Sequence, residues 1–308
     1  MTFTNRFAPS PTGPLHLGHA YSAMIAHDMA RAENGVFLLR IEDIDQSRAR
    51  PEWEAQIYDD LRWLGIGWDG TILRQSDNLP AYGRALDELW DRGLIYPCTC
   101  NRKDILAAVS APQEGALLVG PDGVVYPGTC RNRTPLPRHT TPRPDNTALR
   151  LDLGQTQFAR KEFDHRITPD KPHDRLAVSF METGSGPDCQ TGQIDVYLHD
   201  MQHGIGDVVL ARKDMGTSYH LSVVLDDAAQ GITHVVRGQD LFDATAIHVL
   251  LQRLLDLPTP IYHHHRLIRD DAGKRLAKRD DARAISKYRA EGATPNDIRQ
   301  MVGLHPVQ

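Results

Sequence analysis

Cysteine, aromatic residues and long apolar runs are all scarce in this chain. Four cysteines in 308 residues are too few for a disulfide scaffold, so a reducing cytoplasmic compartment is expected. No apolar stretch approaches the roughly 18 residues that a membrane span needs, and no membrane partner is expected. Met1-Thr2-Phe3-Thr4-Asn5-Arg6 lacks a basic region followed by an apolar run, so no secretory signal is expected. Positive charge is not in excess either. The formal net charge of −5 argues against wholesale coating of nucleic acid. A local basic surface remains available, because residues 266–289 hold nine Lys/Arg against four Asp. By itself such a run is as readily a solvated face.

What is present reads as an ordinary globular chain, 40% hydrophobic and 24% charged. Residues 3–8 predict a short strand ended by Pro9, and three prolines within 9–14 then forbid regular structure. A helix is expected from His19 to before Gly35, a buried strand over 36–41, a helix carrying Trp53, Ile57, Leu61 and Leu64 on one stripe, and another helix over about 80–91. This alternation indicates a parallel α/β sheet. It breaks where seven prolines fall from Pro112 to Pro144. Strands are expected at 148–153 and 207–212, with a mobile Gly-, Ser- and Thr-rich loop over 182–193. Alternation resumes with a helix over 219–230, a strand over 232–236, a helix over 240–255 and a strand from Ile261. The expected fold is a nucleotide-binding sheet of which residues 1–97 form the first half and 207–308 the second, split by a partly β insertion over 98–206.

His16-Leu17-Gly18-His19 sits where a loop passes into a helix. Helix N-termini present unpaired N–H groups and partial positive charge, which suits a polyphosphate. Gly18 lets a nucleotide approach the backbone, and two imidazoles can donate to phosphoryl oxygens. Alone, the tetrapeptide is as readily a capping turn. Its neighbours are Arg6-Phe7-Ala8-Pro9-Ser10-Pro11-Thr12-Gly13 before it and Arg40-Ile41-Glu42-Asp43-Ile44-Asp45 after it. This array resembles the start of the class I glutamyl-tRNA synthetases, in which the tetrapeptide is the ATP-binding signature. The resemblance implies a class I Rossmann-type sheet and ATP binding by His16, Gly18 and His19, with Mg2+ accompanying the ATP. The second class I signature is matched by Arg275-Leu276-Ala277-Lys278-Arg279, which implies that Lys278 follows the phosphates into the transition state. Arginine stands first in that loop, alanine replaces the inner serine, and arginine stands last. His16, His19 and Lys278 are thus the implied catalytic residues.

A glutamate-selective pocket needs an acid for the amino group and Arg or Tyr for the side-chain carboxylate, since an unpaired desolvated carboxylate is costly. Glu42, at a strand end, suits the first task; Arg6, heading Arg6-Phe7-Ala8-Pro9-Ser10, suits a substrate carboxylate. Thr217-Ser218-Tyr219-His220-Leu221 and Val235-Val236-Arg237-Gly238 resemble the family's second-half glutamate site, which implies side-chain contacts from Tyr219 and Arg237.

Cys98-x-Cys100 and Tyr126-x-x-x-Cys130 allow two readings, free thiols or a tetrahedral zinc site completed by an oxygen donor. Short relatives of the glutamyl enzymes, the glutamyl-queuosine tRNA(Asp) synthetases, have this set as zinc ligands. The resemblance therefore implies structural Zn2+ at Cys98, Cys100, Tyr126 and Cys130, within an insertion that also meets the acceptor. Cys189 has no partner spacing and no assigned role. In His263-His264-His265 successive strand residues face opposite sides, so structural or nucleotide-adjacent roles are expected.

Thirty residues follow Lys278, whereas a domain needs about 50, so no anticodon-binding domain is expected. The resemblance then implies a monomeric enzyme that activates L-glutamate with ATP without needing tRNA and transfers it to the queuosine base of tRNA(Asp). The 266–289 segment is expected to help hold the RNA. Two alternatives stay open: a truncated glutamyl-tRNA synthetase charging tRNA(Glu), and an inactive tRNA-binding paralogue. A phosphopantetheine-type nucleotidyltransferase shares His-x-Gly-His but gives no reason for Arg40-Ile41-Glu42-Asp43.

Overall fold

The computed structural model describes residues 2–109, 118–133, 141–156, 176–269 and 283–306. The first half runs β1 (Thr4–Phe7), α1 (Leu17–Ala32), β2 (Val36–Ile41), α2 (Pro51–Trp63), β3 (Leu73–Arg74), α3 (Leu79–Asp91) and β4 (Ile95–Cys98). Pro51 at the first helical position and Glu52 and Glu54 in the first turn suit the start of α2. In α3, Tyr82, Ala85, Leu86, Leu89 and Trp90 are buried, the spacing of a single apolar stripe. β1, β2 and β3 pair in parallel.

The middle of the chain holds α4 (Arg102–Val109), the hairpin β5 (Val119–Gly120) and β6 (Gly123–Val124), β7 (Ala148–Leu151), α5 (Leu153–Thr156), β8 (Leu176–Glu182), β9 (Gly192–Tyr197) and α6 (Leu198–Asp200). Strand β4 pairs antiparallel with β7, Cys98 opposite Ala148, so the excursion between them leaves and returns at neighbouring strands. The second half contributes β10 (Val209–Ala211), α7 (Tyr219–Ala229), β11 (His234–Gly238), α8 (Thr245–Leu254), β12 (Ile261–His265), α9 (Ile285–Ala290) and α10 (Pro295–Met301).

β11, β12 and β8 are parallel, with β9 antiparallel at the edge. The two parallel sheets meet at β1 and β11, where Thr233 N–H donates to Thr4 O at 2.9 Å and Thr4 N–H to Thr233 Oγ1 at 2.9 Å. One apolar core gathers α3, α7 and α8 with the β8–β11–β12 side; another packs α1, α2, α9 and α10 on β1 and β2. Fully buried Phe37 alone contributes about 1.5–3 kcal/mol of transfer free energy. Among the described residues no helix is long and apolar enough to cross a membrane.

The structure corrects several expectations. Residues 182–193 are not a free loop: they join β8 to β9 in a hairpin, and Gln239 reaches in to donate to Ser185 O at 2.9 Å. This hairpin hydrogen-bonds to β12, so the sheet of the second half extends into the 98–206 stretch. The strand expected at 232–236 lies at His234–Gly238, because Gly231 (φ +64°) and Ile232 still belong to the turn that closes α7. The strand expected over 148–153 stops at Leu151, and Leu153 opens α5 instead. The helix expected over 240–255 is a 3-10 turn, Gln239–Leu241, followed by α8.

Candidate active site

A cavity of about 550 Å³ opens at the C-terminal ends of the parallel strands, on the seam between β1 and β11. Open α/β sheets bind ligands in this position, where the strand order reverses. Arg6, Phe7, Ala8, Pro9 and Ser10 form one wall. His16, Gly18 and His19 form the floor at the start of α1, and Glu42, Tyr219 and Arg237 face them. All the sequence-predicted glutamate and nucleotide residues among those described thus share one cavity. Lys278 lies outside the described residues, but its flanks do not: Ile268 lines the cavity, and Ala284 bridges to His16.

The paired histidines are themselves the cap of α1. Gly18 N–H donates to His16 Nδ1 at 3.1 Å, and His16 N–H donates to His19 Nδ1 at 3.2 Å. Each Nδ1 is therefore an acceptor, so each neutral ring carries its proton on Nε2. The two readings of the motif merge here: capping fixes the tautomer that donates outward. A Cβ on Gly18 would lie 3.0 Å from His16 Cε1, so glycine gives this imidazole its place.

A buried charge network supports the opposite wall. Arg6 donates to Asp227 through Nε at 2.8 Å and a terminal nitrogen at 3.2 Å. Arg40, fully buried, donates to Asp227 Oδ1 at 2.6 Å and to Glu42 Oε1 at 3.2 Å. Burial alone would raise the Asp227 carboxyl, but Arg6 and Arg40 hold it below the ordinary carboxylate range. Glu42 is pushed the other way: burial raises it despite Arg40 and Arg6. A cation brought to Glu42 would remove that penalty. Glu42 N–H also donates to Pro9 O at 3.0 Å, which stitches the 6–13 segment to the end of β2.

Arg237 is the penultimate residue of β11, within the strand. Four hydrogen bonds hold it: to His264 at 3.0 Å, His248 at 2.9 Å, Thr245 Oγ1 at 2.7 Å and Leu241 O at 3.2 Å. Sequence reasoning assigned no role to Arg40, Asp227, His248 or Glu182, and gave His264 only a structural or nucleotide-adjacent one. Adjacent Asp226 and Asp227 inside the apolar run of α7 were the one available signal, since buried acids need partners. His265 lines the cavity, bonded through Nδ1 to Arg266 O at 2.9 Å.

In the basic segment Arg266 donates to Val302 O, Arg283 pairs with Glu291 and Arg289 with Asp59. These internal contacts leave less of the segment for RNA than the residue count implies, and residues 274–279 lie outside the described ones.

Cys98, Cys100 and Cys130 place their sulfurs within 4.8 Å of one another. Tyr126 joins them, its hydroxyl 3.4 Å from Cys98 Sγ and 3.5 Å from Cys100 Sγ. Cys100 and Cys130 sulfurs are 3.5 Å apart, near the about 3.8 Å edge of a tetrahedron with zinc–sulfur bonds of about 2.3 Å. Burial raises thiols, yet hydrogen bonds from Tyr126 and the Thr99 backbone bring Cys130 down to about 6. Three softly basic sulfurs and one oxygen converging in this way fit a tetrahedral cation. Among the described residues no other His, Cys, Asp or Glu trio converges so closely. Cys189 lies apart, exposed in the β8–β9 hairpin.

The split parallel sheet and its switch-point cavity are those of class I aminoacyl-tRNA synthetases. A glutamate-tRNA synthetase of Elizabethkingia anophelis superposes with a TM-score of 0.70 at 25% identity, covering 96% of this chain. This chain spans 60% of that enzyme's length. A methionyl-tRNA synthetase of Mycobacterium tuberculosis shares the fold alone, with a TM-score of 0.55 at 11% identity. Residues 2–115 and 158–307 match the family "tRNA synthetases class I (E and Q), catalytic domain", and the chain belongs to that family of ligases. Among curated relatives, a glutamyl-Q tRNA(Asp) synthetase of Rhodobacter capsulatus is 63% identical over 97% of this chain and 99% of its own length. One from Geobacter sulfurreducens is 39% identical over 92% of this chain and 78% of its own length.

Proposed function

We propose that this chain activates L-glutamate with ATP, without needing tRNA, and transfers the glutamate to the queuosine base of tRNA(Asp). The observation that carries this reading is the near end-to-end 63% identity with a relative of that name. In the first step the glutamate α-carboxylate attacks the α-phosphorus of ATP and pyrophosphate leaves; Mg2+ accompanying the ATP would offset the phosphate charge. His16 and His19 offer Nε2–H donors, beside the start of α1, to the charge that develops on the phosphoryl oxygens. Lys278 would neutralise the departing phosphates. Glu42 accepts from the substrate ammonium, Arg6 pairs with a carboxylate, and Tyr219 and Arg237 take the side-chain carboxylate. In the second step an acceptor hydroxyl attacks the mixed anhydride, AMP leaves, and the hydroxyl proton passes to solvent. This acyl transfer needs positioning more than a protein nucleophile. Structural Zn2+ held by Cys98, Cys100, Tyr126 and Cys130 would brace the proline-rich excursion between β4 and β7.

The decisive experiment combines glutamate-dependent ATP–pyrophosphate exchange without tRNA and transfer of labelled glutamate. Queuosine-containing tRNA(Asp), unmodified tRNA(Asp) and tRNA(Glu) would be compared. Label confined to the first supports the proposal. Equal labelling of both tRNA(Asp) forms, or charging of tRNA(Glu), overturns the choice of acceptor. Absent exchange favours an inactive RNA-binding relative.

A further inference from the structure

Arg237 sits within a hydrogen-bonded chain that begins at a buried carboxylate outside the cavity. Glu182, the last residue of β8, accepts through Oε1 from Gly184 N–H at 2.7 Å and His264 N–H at 2.9 Å. Its other oxygen lies 2.5 Å from His264 Nδ1. His264 Nε2 accepts from Arg237 Nε at 3.0 Å. On the other side, His248 Nδ1 lies 2.9 Å from Arg237 NH1, and His248 Nε2 lies 3.1 Å from His220 Nδ1. Glu182, His264 and His248 are each 1% exposed. A Cβ on Gly184 would come within 2.2 Å of His264 O, so only glycine lets the β8–β9 hairpin close against β12.

An arginine has donors and no acceptors. Every imidazole nitrogen facing Arg237 must therefore carry a lone pair. His264 can present one from Nε2 only with its proton on Nδ1, where an ionised Glu182 receives it. His248 accepts at Nδ1, so its proton sits on Nε2 and is given to His220. The two rings must be neutral and of opposite tautomers. Four of the five N–H groups of Arg237 are thereby fixed, leaving one NH1 donor without a partner among the described residues on a side chain that lines the cavity.

We propose that Glu182 and His264 are positioning residues which fix the direction of Arg237, and through it the recognition of a carboxylate on the substrate side chain. The substrate half rests on the reading of Arg237 given above. Glu182→Gln keeps shape and the Oε1 acceptor but replaces the other oxygen with a donor. His264 must then move its proton to Nε2, where it opposes Arg237 Nε–H.

Two measurements test this. Nitrogen-15 NMR of wild-type imidazoles is expected to show His264 as the neutral Nδ1–H form, and E182Q as the Nε2–H form. An Nε2–H or charged His264 in the wild type overturns the proposal and needs no variant to fold. In glutamate-dependent exchange, E182Q is expected to raise KM for glutamate at least tenfold, with KM for ATP within twofold. E182Q/H264Q is expected to recover much of the loss, because glutamine at 264 can accept from Arg237 without a tautomer to set. Folded E182Q with unchanged KM for glutamate overturns the proposal. A wild type without exchange would instead sink the functional reading and the substrate half with it, leaving NMR to judge the positioning.

Discussion

Arg6 of β1 and Asp227 of α7 are 221 residues apart in sequence, yet two hydrogen bonds of 2.8 and 3.2 Å join them under the cavity. The same carboxylate binds Arg40 at 2.6 Å, so one acid orients a wall residue and is shared by two buried cations, Glu42 being the second partner of Arg40. Asp227→Ala would leave Arg6 without its carboxylate and Arg40 with Glu42 as its nearest acid, a loss of about 3–5 kcal/mol. Asp227→Asn keeps the shape and should cost less, while still raising KM for glutamate. Because the folded carboxyl is lowered, its stabilisation is full above the ordinary Asp range and disappears as acid protonates it. Urea unfolding at pH 7 checks the first expectation; equal stability of wild type and the alanine variant would contradict it.

Asp60 carries the opposite sign. It is fully buried on α2, and neither carboxylate oxygen has a hydrogen-bond partner among the described residues. Burial, with Asp59 alongside and Arg289 opposing, pushes it up to about 6. The folded state then holds this proton more tightly than the unfolded state. Its contribution is harmless below about pH 4, worsens as pH rises to about 6, and is constant above. Asp60→Asn is expected to stabilise the protein at pH 7.5 by about 1–3 kcal/mol and to flatten the profile between pH 4 and 6. An unchanged slope across that interval would refute this account of Asp60.

The metal cluster gives a third expectation. Protein purified without chelator should contain one equivalent of zinc, and Cys100→Ser should lose it. Tyr126→Phe should bind zinc at least tenfold more weakly, as the fourth donor is removed while the packing of Arg150 over the ring, 3.8 Å away, remains. Chelation should lower the melting temperature and open the 99–147 excursion to protease. Stoichiometric zinc in the Cys100→Ser protein would rule out this site.

The features legible in the sequence were those governed by local rules. Proline placed the break after β1, apolar periodicity placed α2 and α3, and short motifs pointed to the residues that line the cavity floor. The wall of the cavity was only half legible. Arg237 and Tyr219 were expected in one pocket and do line one cavity, but Asp227 acts by joining α7 to β1 and β2, and Glu182 and His264 by joining β8 and β12 to β11, and no spacing within one segment encodes these pairings. The hairpin over 182–193 was missed for a related reason. Its Gly and Ser content signals a turn, whereas its order comes from β12 and Gln239. The starts of β11 and α8 slipped because the turn at Gly231 and the 3-10 turn over 239–241 each take up residues before the regular element begins.

Gly18 separates a capping role for the histidine motif from a functional one. Alanine is the better helix former by up to about 1 kcal/mol, so Gly18→Ala should leave stability unchanged or improved. Its Cβ, however, would stand 3.0 Å from His16 Cε1 and 3.1 Å from His16 Nδ1, closer than real contacts allow without movement. The imidazole must then give by a few tenths of an ångström, which moves its Nε2–H donor on the cavity floor. The expected result is a protein as stable as wild type, with ATP–pyrophosphate exchange reduced ten- to a hundredfold, about 1.4–2.7 kcal/mol of barrier. Urea titration and exchange kinetics on the same preparation read both quantities. Full exchange activity in a stable Gly18→Ala protein would make the motif a cap and nothing more.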